Sequence, residues 1–340
     1  MKQLDLHNKT ILISRTDSIG DVVLTLPCCV WIKRQFPDCK LLFLGNTYTK
    51  PILVCLPEID EVLDWKDIQN LPLQERVRFF KEKNIDTAIH VFPNKEIASL
   101  LRRAQIPHRI GTSHRVYHLL TCNLRPNFTR KNSELHESQL NFELLRHLGV
   151  KTLPSIAENS TYLSSFQAPT INLPQDISTF LAAGNKTILL HPKSQGSAVE
   201  WGVSNYVMLA KKLVENGIQV IFSGTEKEGS QFRSEIPVHP FILDSTGKLS
   251  LDQLITLIAT ADGLVACSTG PLHIAGILGK TTIGLFSPRK PIHPGRWRAL
   301  GQHVSILVHD EKCPKCAKKQ ACDCIEHISV QRVFEKLLHA

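Results

Sequence analysis

The sequence predicts an α/β protein of two domains, each a parallel sheet covered by helices. Strand-length apolar runs alternate with amphipathic runs along the whole chain, the pattern of parallel α/β architecture. At 340 residues the chain is long for one core and suits two domains of about 150 residues each. Near each end a segment bearing glycine and hydroxyls sits where a strand must turn into a helix. No sequence repeat relates the two halves.

In the first half, Thr10–Ser14, Lys40–Gly45, Val62–Asp64, Thr87–Val91 and Arg109–Gly111 are the expected strands. Residues 22–36, 73–83, 94–104 and 134–148 are the expected helices. Between the first strand and the first helix lies Arg15-Thr16-Asp17-Ser18-Ile19-Gly20-Asp21, where Gly20 allows a tight turn. Asp21 falls at the helix start, where a carboxylate favours the dipole, and a plain N-cap accounts for it. A carboxylate at the carboxyl end of the first strand of an open sheet also points into the crevice where such folds bind ligands. The two readings are compatible. From Thr152 to Pro174 the chain is rich in Ser, Thr, Pro and Asn without a clear period. Domains are therefore expected at 1–160 and 181–340, with a linker at 161–180 and the last helix able to pack back on the first domain.

In the second half, Lys186–His191, Gln219–Ser223, Gly263–Cys267 and Thr281–Phe286 are expected strands, and 203–216, 226–235, 250–261 and 271–278 expected helices. The run Ser268-Thr269-Gly270-Pro271-Leu272-His273 follows the third of these strands directly. Ser268 or Thr269 can cap the helix there, leaving its first amides and positive dipole end facing outward. Such a terminus is a ready site for the phosphates of a nucleotide, and His273, one turn in, is near enough to donate to the same anion. A capped helix in any α/β domain would carry much the same residues.

Charge and composition narrow the function. The net charge is +9, with Lys33, Arg34, Lys81, Lys83, Lys95, Arg102, Arg103, Arg109, Arg115, Arg125, Arg130 and Lys131 all in the first half. A positive first domain suits an anionic acceptor or an anionic membrane surface, and a solvated basic face explains it too. Nucleic acid is disfavoured: aromatics are only 6%, and no recognition motif for RNA or DNA is present. No Gly-x-Gly-x-x-Gly follows an expected strand, which argues against a dinucleotide oxidoreductase. The apolar stretch Val22 to Ile32 is 11 residues long and contains Pro27, too short to span a bilayer. The first nine residues lack a signal-peptide core, and ten scattered cysteines then suggest a cytoplasmic protein with reduced thiols. Cys313-Pro314-Lys315-Cys316 and Cys322-Asp323-Cys324, with His327 nearby, could bind structural zinc, although Cys-x-Cys is less usual than Cys-x-x-Cys; reduced, solvent-near thiols are the other reading.

Several segments in order resemble glycosyltransferase family 9, the ADP-heptose:lipopolysaccharide heptosyltransferases. These are Arg15-Thr16-Asp17-Ser18-Ile19-Gly20-Asp21-Val22-Val23-Leu24-Thr25-Leu26-Pro27, Asp86 through Pro93, Arg109-Ile110-Gly111, His136-Glu137, His191-Pro192-Lys193-Ser194 through Glu200-Trp201, Asp244-Ser245-Thr246-Gly247-Lys248 and Ser268 through His273. The similarity runs over roughly residues 10 to 335. It implies GT-B architecture, two Rossmann-like α/β domains facing a central crevice. It also implies inverting transfer of heptose from ADP-L-glycero-D-manno-heptose to a lipopolysaccharide inner-core acceptor at the cytoplasmic membrane face. No Asp-x-Asp motif of the usual kind is present to hold a metal; helix termini and basic side chains can neutralise the leaving diphosphate instead.

Asp21 is the expected general base. Donor contacts are expected from Lys193, Ser194, Ser197, Glu200, Trp201, Glu226, Glu228, Thr246, Ser268, Thr269, Gly270, Pro271 and His273. Acceptor contacts are expected from Arg15, Asp17, Ser18, Gly20, His90, Lys95 and His136. Two positions depart from the family pattern. Val199 stands where a lysine often precedes the tryptophan, and Ser268 where an acid often precedes Thr-Gly. A relative using another nucleotide sugar, or a binding protein without catalysis, are the alternatives.

Overall fold

In a computed structural model that describes residues 3–131 and 133–339, the chain divides into two compact units between Phe166 and Gln167. Among the described residues, the first unit holds β1 (Thr10–Ser14), β2 (Lys40–Gly45), β3 (Glu61–Asp64), β4 (Thr87–His90) and β5 (His108–Ile110). They pair in the order β3-β2-β1-β4-β5, every pairing parallel. Ile11, Leu12 and Ile13 are wholly buried, as a central strand covered on both faces requires.

The second unit holds β6 (Thr187–His191), β7 (Gln219–Phe222), β8 (Ile242–Asp244), β9 (Gly263–Cys267), β10 (Thr281–Phe286) and β11 (Val304–Val308). Their order is β11-β10-β9-β6-β7-β8, again all parallel. This is the doubly wound nucleotide-binding order. β8 and β11 were not expected, although Phe241-Ile242-Leu243 and Ile306-Leu307-Val308 are apolar runs as long as that of β1; each lies at a sheet edge and is mostly half-buried.

Three expected helices are broken. The run 22–36 is two helices, Ile19–Val23 and Leu26–Gln35, with Pro27 in the first turn of the second, where its missing N–H costs nothing. The run 134–148 is helical over Glu137–Phe142 and tightens to a 3-10 turn over Glu143–Leu148, ending at Gly149 with φ 106°. The run 226–235 reduces to the turns Glu226–Gly229 and Arg233–Glu235.

The expected linker at 161–180 contains the boundary between the units and parts of two helices. Helix Ile156–Tyr162 buries Asn159 against Ser138 in the first unit, at 3.0 Å, and helix Gln175–Leu181 buries Ile177 in the second. The final helix, Val330–Leu338, buries Val333, Phe334 and Leu337 in the second unit's core beside Trp201 and Leu213. Its apolar face thus packs into the core of the second unit. Helix Gly270–Ile277 packs so tightly on the segment after it that a Cβ at Gly276 would meet the Leu300 carbonyl at 2.3 Å.

Candidate active site

In each sheet the strand order reverses beside the first strand of its unit, and the loops leaving the carboxyl ends there form the ligand-binding edge of this fold. In the first unit those ends belong to β1 and β4.

Arg15 follows β1 and is 2% exposed. Its Nε donates to Asp17 at 2.8 Å, its Nη1 to Glu137 at 3.1 Å and Asn141 at 3.2 Å, and its Nη2 to Asp21. Arg130 donates to the same Glu137 and Asn141, at 3.0 and 2.9 Å. Two guanidiniums thus face three carboxylates. Burial acts to lower the Arg15 guanidinium, but Asp17, Asp21 and Glu137 outweigh it and hold it firmly charged. Asp17 goes the other way: burial, with the Asp21 charge beside it, outweighs Arg15 and pushes its carboxyl up to about 6.

Asp21 is not the N-cap of its helix. Ser18 holds that position, and its hydroxyl donates to Asp21. One Asp21 oxygen therefore takes the Arg15 guanidinium and the other the Ser18 hydroxyl, while the side chain stays 17% exposed. Gly20 lies inside the same helix and is not the turn expected of it. Asn141 ties the cluster to the backbone by donating to Leu24 O at 2.9 Å.

Other acceptor candidates are placed differently. His90 ends β4 at 1% exposure, and burial pushes its imidazole down to about 3, so it is a neutral core group packed near the His118 ring. His136 is 1% exposed and caps helix Glu137–Phe142 through Nδ1, a structural task. Lys95 is exposed in the first turn of helix Lys95–Arg103, whose cap Asn94 accepts from Glu96 N at 2.9 Å. Glu137 and Asn141 were missed as site residues; their signal is an acid and an amide four apart, on one helix face.

In the second unit the reversal falls between β6 and β9. After β6, the Glu200 carboxylate accepts from Ser194 N at 2.9 Å, from Ser194 Oγ at 3.0 Å and from Lys193 Nζ at 2.5 Å. The turn it braces passes through Gln195 and Gly196, both at positive φ, and is closed by Ser197 Oγ on Ser194 O at 2.8 Å. A depression of about 320 Å³ opens here, lined by Lys193, Gln195, Gly196, Glu200, Lys227, Glu228 and Gln231. Lys227 was missed because it stands between two acids in sequence; the fold brings it to the same depression as Lys193.

Trp201 is a core residue. It is fully buried and gives its indole N–H to Ile328 O at 2.8 Å, which removes it from the donor contacts. Glu228 accepts from Thr225 N at 2.7 Å as a capping box, and Glu226 pairs with Arg233 at 2.8 Å. Thr246 accepts from that same Arg233 at 2.9 Å and donates to Asp244 at 2.6 Å, so one network runs from the buried Thr246 to the exposed Glu226.

After β9, Thr269 occupies the cap position of helix Gly270–Ile277, and its hydroxyl bonds back to Cys267 O at 3.3 Å without capping the helix. Ser268 and Gly270 are half-buried, Pro271 sits in the first turn, and His273 is 2% exposed. The first-turn amides thus receive no bond from the cap side chain, as an anion-accepting terminus requires.

The four clustered cysteines of the C-terminal loop also come together, with all four sulfurs within 4.8 Å of one another. Among the described residues, no helix is long and apolar enough to cross a membrane.

Two doubly wound α/β units, one with a caged carboxylate and the other with an uncapped helix terminus at its switch point, define a two-unit α/β protein of the GT-B class. Residues 76–325 match the family described as glycosyltransferase family 9 (heptosyltransferase). That span is well over half the chain: it belongs to this family and is a glycosyltransferase. A protein of Haemophilus influenzae named "Putative glycosyltransferase" is 26% identical over 337 residues, 96% of this chain and 95% of that one. Lipooligosaccharide heptosyltransferase 2 of the same organism is 26% identical over 295 residues, 83% of this chain and 84% of its own. The structure of Escherichia coli ADP-heptose lps heptosyltransferase II superposes with a TM-score of 0.72 at 20% identity, covering 97% of this chain and 98% of that one. At that identity the likeness concerns the fold.

Proposed function

We propose that the protein transfers heptose from ADP-L-glycero-D-manno-heptose to a lipopolysaccharide inner-core acceptor, with inversion and without a catalytic metal. The observation that carries the reading is Asp21, a partly exposed carboxylate at the binding edge of the first unit, with both oxygens oriented by fixed donors. It suits a general base. As the acceptor oxygen attacks the anomeric carbon, the bond to the diphosphate oxygen breaks, the nucleoside diphosphate leaves, and the acceptor proton passes to Asp21. The second unit supplies the complementary chemistry: the uncapped terminus of helix Gly270–Ile277 for the diphosphate, with Lys193 and Lys227 as local cations. The names of the relatives favour ADP-heptose and a lipopolysaccharide acceptor. An anionic core glycolipid also suits the net charge of +9, and the reading has the enzyme working at the cytoplasmic face of the membrane without nucleic acid as a partner.

A second reading is transfer of another nucleotide sugar to a different glycan or protein. Ser268, without the charge an acid would bring to the sugar, favours it. One assay separates the two: purified enzyme with ADP-heptose and a heptose-deficient core acceptor, in EDTA. The expected product is the mono-heptosylated acceptor with inverted anomeric configuration by NMR. Turnover only with UDP- or GDP-sugars would transfer the assignment to the second reading, and rescue only by magnesium or manganese would reject the metal-free mechanism.

A further inference from the structure

Cys313, Cys316, Cys322 and Cys324 take no part in either half-site. Cys313 precedes the single turn Pro314–Ala317, which carries Cys316, while Cys322 lies beyond it and Cys324 opens the 3-10 turn Cys324–His327. The loop folds back so that Cys313 and Cys322 sulfurs stand 3.5 Å apart and those of Cys316 and Cys324 3.4 Å apart. A disulfide needs about 2.05 Å, so neither pair is bonded. Four thiolates at about 2.3 Å from one tetrahedral ion would stand about 3.8 Å from each other. The observed separations, from 3.4 Å to within 4.8 Å, bracket that value.

The surroundings agree. Cys313, Cys316 and Cys324 are buried and Cys322 half-buried, so three of the four sulfur-bearing residues are shielded from solvent. Ser287 Oγ stands 3.3 Å from the Cys316 sulfur, and the Cys324 amide donates to the Cys322 sulfur at 3.4 Å, contacts that stabilise thiolate charge. A divalent ion with four thiolates carries two net negative charges. The loop supplies four exposed ammoniums beside it: Lys312, Lys315, Lys318 and Lys319.

We propose that Cys313, Cys316, Cys322 and Cys324 bind one tetrahedral transition-metal ion, zinc or iron, as a closed structural site. With all four positions filled by protein, the ion has no opening for substrate. Its task is mechanical. The chain leaving the site sends Ile325 and Ile328 into the core around Trp201, where Ile328 O accepts from the Trp201 indole at 2.8 Å and Glu326 O from Asn205 at 2.9 Å. The ion thus anchors the segment that holds Trp201, next in sequence to the Glu200 that braces the turn at Ser194. This inference is independent of the donor and acceptor proposed above.

Elemental analysis of the full-length protein, purified under reducing conditions, is expected to find about one zinc or iron per chain. A colourless protein indicates zinc and a visible thiolate-to-iron band iron; either supports the site. Cys316→Ser and Cys324→Ser should lose the ion, while Cys39→Ala, at a buried cysteine of the first unit, should keep it. Because those serine variants can fail to fold, the wild-type protein is also stripped with a strong chelator and refilled with cobalt(II). A tetrahedral thiolate–cobalt spectrum at one equivalent is expected. Hydrogen exchange should rise at 201–206 and 324–328 on stripping and fall again on refilling. A metal-free protein with four reactive thiols, or one with Cys313–Cys322 and Cys316–Cys324 disulfides, and with exchange unaltered by added metal, would overturn the proposal.

Discussion

Arg15 decides the chemistry of its neighbourhood, because three carboxylates share one buried guanidinium. If Asp21 is the base, Asp21→Asn should lower kcat about 10²–10⁴-fold while leaving ADP affinity, read by calorimetry, nearly intact. Near-normal turnover would transfer the role to Asp17. Asp17 also predicts a pH dependence. Its carboxyl is raised from 3.8 to about 6 by folding, so the folded state binds this proton more tightly than the unfolded chain. The stabilisation is complete below pH 3.8 and is lost as pH rises through about 6. Urea titrations should therefore show Asp17→Asn gaining on wild type by about 1–3 kcal/mol between those limits. No gain across that window would mean that Asp17 is ionised throughout. The sequence made Asp21, Asp17, Ser18 and Lys193 legible because each lies next to a strand end in a short, polar loop. It did not disclose Glu137 or Asn141, which meet Arg15 from more than 120 residues away. Nor did it separate Trp201 and His136 from the ligand contacts: a motif residue held by the backbone and one held by a ligand look alike until burial is known.

At the scale of elements, helix Gly270–Ile277 is the part on which donor binding depends. Gly270→Val should obstruct the phosphate approach to its first turn, and His273→Ala should weaken binding by about 1–3 kcal/mol if the imidazole donates to phosphate. Calorimetry with ADP alone is the control, since nucleotide and whole donor should lose affinity together. Two variants that bound ADP like wild type would make this an ordinary core helix. Gly276 tests the same helix from behind. A methyl group there meets the Leu300 carbonyl at 2.3 Å, so Gly276→Ala should cost about 1–3 kcal/mol of stability and shift the helix. Strands in the sheet centres were legible from their continuous apolar runs, whereas β8 and β11, with runs as long as that of β1, became legible only through their pairing at the sheet edges. Pro27 was visible in the sequence, yet its effect was underestimated: it begins a second helix where a single one was expected.

At the scale of the whole molecule, ligand binding and stability should belong to separable units. ADP that binds only the folded second unit stabilises that unit by about 2.7 kcal/mol at 100 times its Kd, whereas UDP and GDP at equal concentration should do less. Differential scanning calorimetry checks this, and an equal response to all three nucleotides would remove the adenine preference from the proposal. The strand order carries a further consequence, for the order of assembly. β1 pairs with β4 through Ile11 and Thr87, and β6 with β9 through Ile188 and Gly263, so each central strand waits for a partner some 75 residues downstream. Such non-local closure is slow, and an unpaired central edge is an aggregation template while it lasts. On the ribosome the first sheet can close before β6 is made, so a growing chain exposes one unsatisfied edge at a time. Slowing translation just after β4 should therefore favour soluble yield, and slowing it between β1 and β4 should harm it.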